Sequence, residues 1–280
     1  MDRVLGYEPR RWIRAEHDLP TADDSHLTAD NSHLALYRLL EALAQAIGWL
    51  VAVSTGFTRR GLPVSIGSIR LVGPLPVDGT LGLDAEVVAW RDETALISGR
   101  ASVAGRPVVA IDRGLCAFVP GERLDDPART RARFALLLAT DAPGTAVEDR
   151  WPRAAGLERV TLDGGRRART RWRVGDAEEF FHEHFPRLPL VPGALQVQAM
   201  VDLARPLVRG DARRRPRVEE LCEVKFRGFV QPGDQVELEA EALSVTAERG
   251  VARAEAQVGG KRVASIKEIH FGLDAPPPAG

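Results

Sequence analysis

The sequence is sparing with the residues that staple or ligate. Only two of its 280 residues are cysteine, Cys116 and Cys222, and only six are histidine. Two cysteines so far apart have no zinc-type spacing and cannot build a disulfide framework, so each is expected to pack as a small apolar side chain in a reducing compartment. No sign of charge dominates. With 38 Lys and Arg against 39 Asp and Glu, the formal net charge is -1, and nothing global points to nucleic acid. The local exception is the basic run "RGDARRRPR" at 209–217, which is either a solvated loop or a face for an acidic partner. Long apolar runs are also scarce. The segment "ALAQAIGWLVAV" (42–53) is shorter than the roughly 20 residues that span a bilayer. "MDRVLGYEPRR" lacks the apolar stretch of a secretory signal. A cytoplasmic protein without membrane contact is the expectation.

What is present is enough apolar residue for a substantial core, 44% of the chain, and an internal repeat. "SIRLVGPLPVDGTLGLDAEVVA" (68–89) matches "EVKFRGFVQPGDQVELEAEALS" (223–244), with Gly73 on Gly228, Leu83 on Leu238 and Ala85 on Ala240, an offset of 155. At the same offset "ASVAGRPVVAI" (101–111) meets "AQVGGKRVASI" (256–266), with Gly105 on Gly260. Leu81, Leu83, Ala85 and Val87 alternate with polar or small residues, as do Val236, Leu238, Ala240 and Ala242; this period of two predicts strands with one buried face. Ala104-Gly105 and Gly259-Gly260 read as hairpin turns. Upstream of each set of strands lies one apolar helix, at about 34–53 and at about 194–205, the second stopped by Pro206. The expected organisation is a first repeat over 1–120 and a linker over 121–150 with one helical turn around "RFALLLA". A second repeat over 151–273 and a disordered tail over 274–280 follow.

The helices carry candidate chemistry. From Leu39 to Val53 the first reads "LLEALAQAIGWLVAV", in which Glu41 and Gln45 are the only polar side chains and, four apart, share one face. A helix apolar on all sides is buried, which places Glu41 in the core or on the wall of a closed pocket. A carboxylic acid out of water favours its neutral form, the form that donates a proton. The second helix follows "FFHEHFPRLPLVPGALQVQAM" (180–200). Pro186, Pro189 and Pro192 forbid regular helix or central strand and force a rigid extended loop. Gly193 opens the helix, where a free N–H strengthened by the helix dipole can donate to a carbonyl or oxyanion. His184, between Phe181 and Phe185, is a candidate base; a histidine among aromatics can equally be a packed structural residue. His182 and His184 have no third or fourth ligand nearby in sequence, so no metal is expected.

These residues resemble a known family. A Phe pair, His-Phe-Pro, a further Pro, then Pro-Gly and a helix is similar to the active-site signature of the hot-dog-fold β-hydroxyacyl-(acyl carrier protein) dehydratases. "LLEALAQAIGWL" (39–50) resembles the family's helix after that Pro-Gly, its catalytic acid falling on Glu41, and "VKFRGFVQPGDQVELEAE" (224–241) resembles the next strand pair. The departures are informative. In the family the acid stands fourteen residues after the histidine, and here that position is Gln198. The stretch before the first helix, "LTADNSHLALYRLL" (27–40), lacks the histidine loop. One copy keeps the base and the other the acid. Glu183 also replaces the family's usual Gly before the histidine.

The resemblance implies an α+β double hot dog, two long helices each wrapped by an antiparallel sheet, with one composite site of His184, Glu41 and Gly193. Phe181, Phe185, Pro192 and Gln45 would contact substrate. It implies elimination of water from a β-hydroxyacyl thioester on the phosphopantetheine arm of an acyl carrier protein, without metal or organic cofactor, in fatty-acid or polyketide-type biosynthesis. Arg209, Arg213, Arg214 and Arg215 are candidates for docking the carrier, and the chain would be a monomer or homodimer, alone or with another dehydratase or synthase subunit. A hot-dog thioesterase, an enoyl-CoA hydratase and a non-catalytic partner of another dehydratase remain open alternatives.

Overall fold

The computed structural model of the chain describes residues 1–19, 32–72, 76, 78–139, 158, 160–175, 181, 184–209 and 215–273. Gly73, the part of the expected linker beyond Ala139 and the tail 274–280 lie outside the described residues. The first half contains β1 (Arg3–Glu8), β2 (Trp12–Leu19), α1 (Ser32–Ser54), β3 (Arg59–Leu71), β4 (Gly79–Trp90), β5 (Thr94–Val103) and β6 (Arg106–Pro120). A 3-10 turn (Gly121–Arg123) and α2 (Pro127–Leu138) follow. The second half contains β7 (Thr161–Asp163), β8 (Arg167–Arg173), α3 (Gly193–Val208), β9 (Pro216–Phe226), β10 (Gln235–Val245), β11 (Arg249–Val258) and β12 (Lys261–Leu273).

The twelve strands of the described residues join one antiparallel sheet in the order β1-β2-β4-β5-β6-β3-β9-β12-β11-β10-β8-β7. Reading outward from β3–β9, each half presents the same succession, and each half carries one long helix between its second and third strands. The helices α1 and α3 pack on each other and on their own strands. This is the double hot dog that the resemblance implies. The alternation read from sequence is the buried face of the sheet: Leu81, Leu83, Ala85, Val236, Leu238, Ala240 and Ala242 are all in the core. Both turns have positive φ at both central residues, 47° and 74° at Ala104-Gly105 and 54° and 74° at Gly259-Gly260, as a tight hairpin requires.

Local chemistry explains the helix ends. At the end of α1, Gly56 takes φ 60°, Phe57 N donates to Ala52 O (2.7 Å) and Gly56 N to Val53 O (3.3 Å), the paired bonds of a Schellman stop. Helix α2 is capped by Asp126, whose side chain accepts from Ala128 N and Arg129 N, with Pro127 in the first turn. It has twelve residues rather than one turn, and Phe134 fixes it to the first half through ring contacts with Tyr7, Trp49 and Phe57. Pro206 does not stop α3, which continues to Val208. An interior proline costs about 3 kcal/mol, but Leu207 and Val208 are buried beyond it, and two such side chains contribute roughly 1.5–3 kcal/mol each.

The seam between halves rests on five register pairs of β3 and β9, with Ile66 opposite Val224 and Ile69 opposite Leu221. Leu221 and Ile69 are almost wholly buried. Leu221→Ala is therefore expected to cost about 2–5 kcal/mol in urea denaturation, and Ile69→Ala combined with it should be non-additive because the two side chains are direct neighbours. A Leu221→Ala loss below about 1 kcal/mol would contradict this assignment of the seam.

Candidate functional site

Three prolines leave the segment after His184 without regular structure, and its few hydrogen bonds hold it rigid. His184 Nδ1 lies 2.9 Å from the carbonyl oxygen of Leu190. A carbonyl only accepts, so Nδ1 carries the hydrogen and, in the neutral ring, the lone pair is on Nε2. Leu188 N donates to Phe185 O (2.9 Å) and Val191 N to Val230 O (2.8 Å). Phe185 takes φ 62°, a left-handed conformation that a bulky residue adopts only when its surroundings impose it. Its ring packs against the His184 ring at 4.2 Å.

The first half and the residues joining the halves impose that conformation. Arg187 N donates to Leu124 O (3.1 Å), its guanidinium donates to Glu122 O (3.0 Å), and it also donates to the Asp126 carboxylate (3.0 Å). Asp126 thus caps α2 and clamps the histidine loop. Amides of Arg129 and Ala128, with the Arg187 guanidinium behind them, hold its carboxyl below its ordinary value. The Arg60 guanidinium sits 5.0 Å from the Trp49 ring of α1 and 5.8 Å from the Phe185 ring. Burial pulls Arg60 below its usual value, opposed by Asp125. The histidine loop of the second half is therefore seated on Arg60 of β3 and on the turn and cap that open α2.

On α1 the residues Tyr37, Glu41 and Gln45 follow at four-residue intervals along one face. Glu41 is buried, 8% exposed, and accepts a hydrogen bond from Gln45 Nε2 (3.2 Å). Gln45 is exposed and its Oε1 accepts from the amino terminus of Met1 (3.2 Å). Burial, then the charge of Glu41, push the Tyr37 phenol well above its ordinary value. Glu41 stands eight residues before Trp49, about 12 Å of helix rise.

At the start of α3, Pro192 O accepts from Leu195 N (3.1 Å) and Gln196 N (3.2 Å), which leaves the Gly193 N–H among the first-turn donors without an intrahelical partner. A Cβ at Gly193 would lie 3.1 Å from two atoms of the Phe226 ring, so any side chain there would push that ring aside by a few tenths of an ångström. Phe181 is buried. Gln198, the residue in the family's acid position, is 4% exposed, and neither atom of its amide has a hydrogen-bond partner.

Of the other sequence candidates, His182, Glu183, Arg213, Arg214 and Leu27 lie outside the described residues. Neighbours of the basic run are committed internally: Arg205 donates to Pro216 O (2.6 Å) and Arg217 to Glu219 (2.9 Å). Sequence reasoning missed Arg187, Asp126, Arg60, Trp49 and Tyr37. Only Tyr37 carried a signal, its four-residue spacing from Glu41. An open groove of about 520 Å³ along β7, β8 and β10 is lined by Arg169, Arg171, Glu237 and Glu239 among others, and it contains none of the candidate residues. Its arginines are paired across strands with its glutamates.

Comparison with known proteins bears on this geometry. A family model described as ApeI-like, ApeI dehydratase, matches residues 161–265, from β7 into β12. The 3-hydroxyacyl-[acyl-carrier-protein] dehydratase FabZ of Bacillus subtilis is 31% identical over 121 residues, 42% of this chain and 85% of the relative. That of Clostridium beijerinckii is 33% identical over 103 residues, 36% of this chain and 72% of the relative. Matching most of a relative with two fifths of the chain is what one copy of a tandem repeat produces. Among solved structures, an oleoyl thioesterase from Lactobacillus plantarum superposes with a TM-score of 0.60 at 13% identity, over 95% of this chain and 97% of that one. A MaoC-like dehydratase gives 0.55 at 11%, over 94% and 98%. At these identities the structures share the fold alone.

The buried amide of Gln198 generates a prediction. A polar group enclosed without a partner costs about 1–3 kcal/mol, so the near-isosteric Gln198→Met is expected to raise stability by about that much in thermal or urea melts. A loss of stability would mean that the amide is satisfied in the folded protein.

Proposed function

Because the chain belongs to the hot-dog-fold 3-hydroxyacyl-[acyl-carrier-protein] dehydratase family, to which the Bacillus and Clostridium relatives tie it, we propose that this hydro-lyase acts on a β-hydroxyacyl thioester carried by acyl carrier protein. The product is the trans-2-enoyl thioester, made in the cytoplasm for fatty-acid or polyketide-type biosynthesis. The observation that carries the reading is the His184 loop, its Nδ1 held by Leu190 O and its backbone clamped by Arg187 to the segment that joins the halves. One site per chain takes its base from the second half and its acid from the first.

His184 Nε2 takes the proton from the carbon beside the thioester carbonyl. The Gly193 N–H, at the positive end of α3, stabilises the charge that develops on the carbonyl oxygen. The electron pair freed by proton removal forms the new double bond as the carbon–oxygen bond to the hydroxyl breaks. Glu41 gives its proton to the departing hydroxyl, which leaves as water. Gln45, already bonded to Glu41, orients that carboxyl, while Phe181, Phe185 and Pro192 enclose the acyl group. The thioester itself acidifies the proton removed, so the chemistry calls for no cofactor. Arg209 and Arg215, with Arg213 and Arg214 between them in sequence, offer positive charge to an acidic carrier. The chain works as a monomer or homodimer.

The experiment follows water loss from β-hydroxyacyl thioesters by mass, for His184→Ala, Glu41→Gln and the double variant. Each single change should reduce turnover by about a hundredfold or more, and the double variant should be little worse than either single one because both disable the same proton transfers. Glu41→Gln keeps size and hydrogen bonding, so folding is preserved. Retention of about a tenth or more of the activity by folded Glu41→Gln would remove Glu41 from the site, and release of free acid instead of enoyl thioester would make the enzyme a thioesterase.

A further inference from the structure

Away from the histidine loop, β9 and β12 bring together three donors that the sequence keeps far apart. Cys222 on β9 is the register partner of Glu268 on β12, and His270 lies two residues further along β12, on the same face as Glu268. Ile269 between them is fully buried, as is Leu221 beside Cys222. The three donors therefore occupy the face of the sheet opposite the helices. All three are half-buried, and one ligand atom from each, Cys222 Sγ, a Glu268 oxygen and a His270 nitrogen, lie within 4.8 Å of one another. His270 Nε2 is 3.0 Å from Glu268 Oε2.

Zinc bonds of about 2.0–2.3 Å in a tetrahedral shell set donors roughly 3.3–3.8 Å apart. The observed spacing brackets that range, so side-chain adjustments of about an ångström or less close the three groups on a single ion. The surroundings also favour a cation. Glu223 is shared by Lys225 and Lys267, whereas Glu220 stands directly opposite His270.

We propose that Cys222, Glu268 and His270 form a binding site for one divalent cation of the zinc class, with water or Glu220 completing a four-coordinate shell. Thiolate and imidazole select a borderline ion over magnesium or calcium, which prefer all-oxygen shells. Binding takes Cys222 as the thiolate and releases its proton to solvent. The ion clips β9 to β12 beside the seam and takes no part in dehydration.

Cobalt(II), a spectroscopic substitute for zinc, tests this on the full chain. The expected result is a thiolate charge-transfer band in the near ultraviolet with the intense visible bands of a four-coordinate ion, saturating at one ion per chain and displaced by zinc. Cys222→Ser should abolish the charge-transfer band, and His270→Ala should weaken binding by about tenfold or more. Zinc should raise the melting temperature of the wild type but not of Cys222→Ser, and both variants should dehydrate substrate at the wild-type rate. A weak six-coordinate cobalt spectrum, or a charge-transfer band that survives in Cys222→Ser, would overturn the proposal.

Discussion

The antiparallel pairing of β3 with β9 is the constraint on which the rest of the molecule depends. Its five pairs, from Ser65 with Lys225 to Arg70 with Glu220, have a property that follows from the repeat. Ile66 corresponds to Leu221 and Ile69 to Val224 at the offset of 155, and the structure pairs Ile66 with Val224 and Ile69 with Leu221. Exchanging the two copies maps the ladder onto itself. A seam of this kind is the isologous contact of a two-fold dimer, built here within one chain. It makes one sheet from two halves, sets α1 against α3, and delivers the loop preceding α3 to the first half.

Given that arrangement, one copy need not hold both parts of a site. The loop ending in Gly193 rests on the first half through Arg187, Asp126 and the Arg60 sandwich, and the left-handed Phe185 shows that this seating opposes the local preference of the chain. Glu41 lies on the helix of the half that receives the loop. The corresponding position on α3 is an amide, Gln198, enclosed with neither end bonded. On our reading the duplicated scaffold kept one site and let the other lapse, which accounts for a buried amide that no protein group satisfies.

Much of this was legible in the sequence, and the limits were physical. Period-two alternation, turn glycines and an apolar helix interrupted by Glu41 are local patterns, and each reappears in the structure. The strands β1, β2, β7 and β8 lie outside the segments matched by the repeat: β8 reads "RARTRWR", an alternation with arginines at every outward position, and β10 supplies glutamates opposite them. Pro206 signalled an end that the burial of Leu207 and Val208 overrides. The clamp on the histidine loop joins Arg187 to residues more than sixty positions away, and Cys222 meets His270 only through strand register. Contacts of that range depend on topology, and a repeat offset specifies the topology without specifying which side chains it brings together.

The account's central claim is that a single chain contributes both the base and the acid to one site. Mixing two inactive proteins tests it most directly: folded His184→Ala and folded Glu41→Gln are combined, taken through dissociation and reassociation, and assayed for water loss from a β-hydroxyacyl thioester. If base and acid must come from the same polypeptide, no mixture contains a chain with both, and activity stays at the level of the separate variants. Recovery of substantial dehydration on mixing would show that the histidine of one chain works with the glutamate of another, and would contradict the intrachain site.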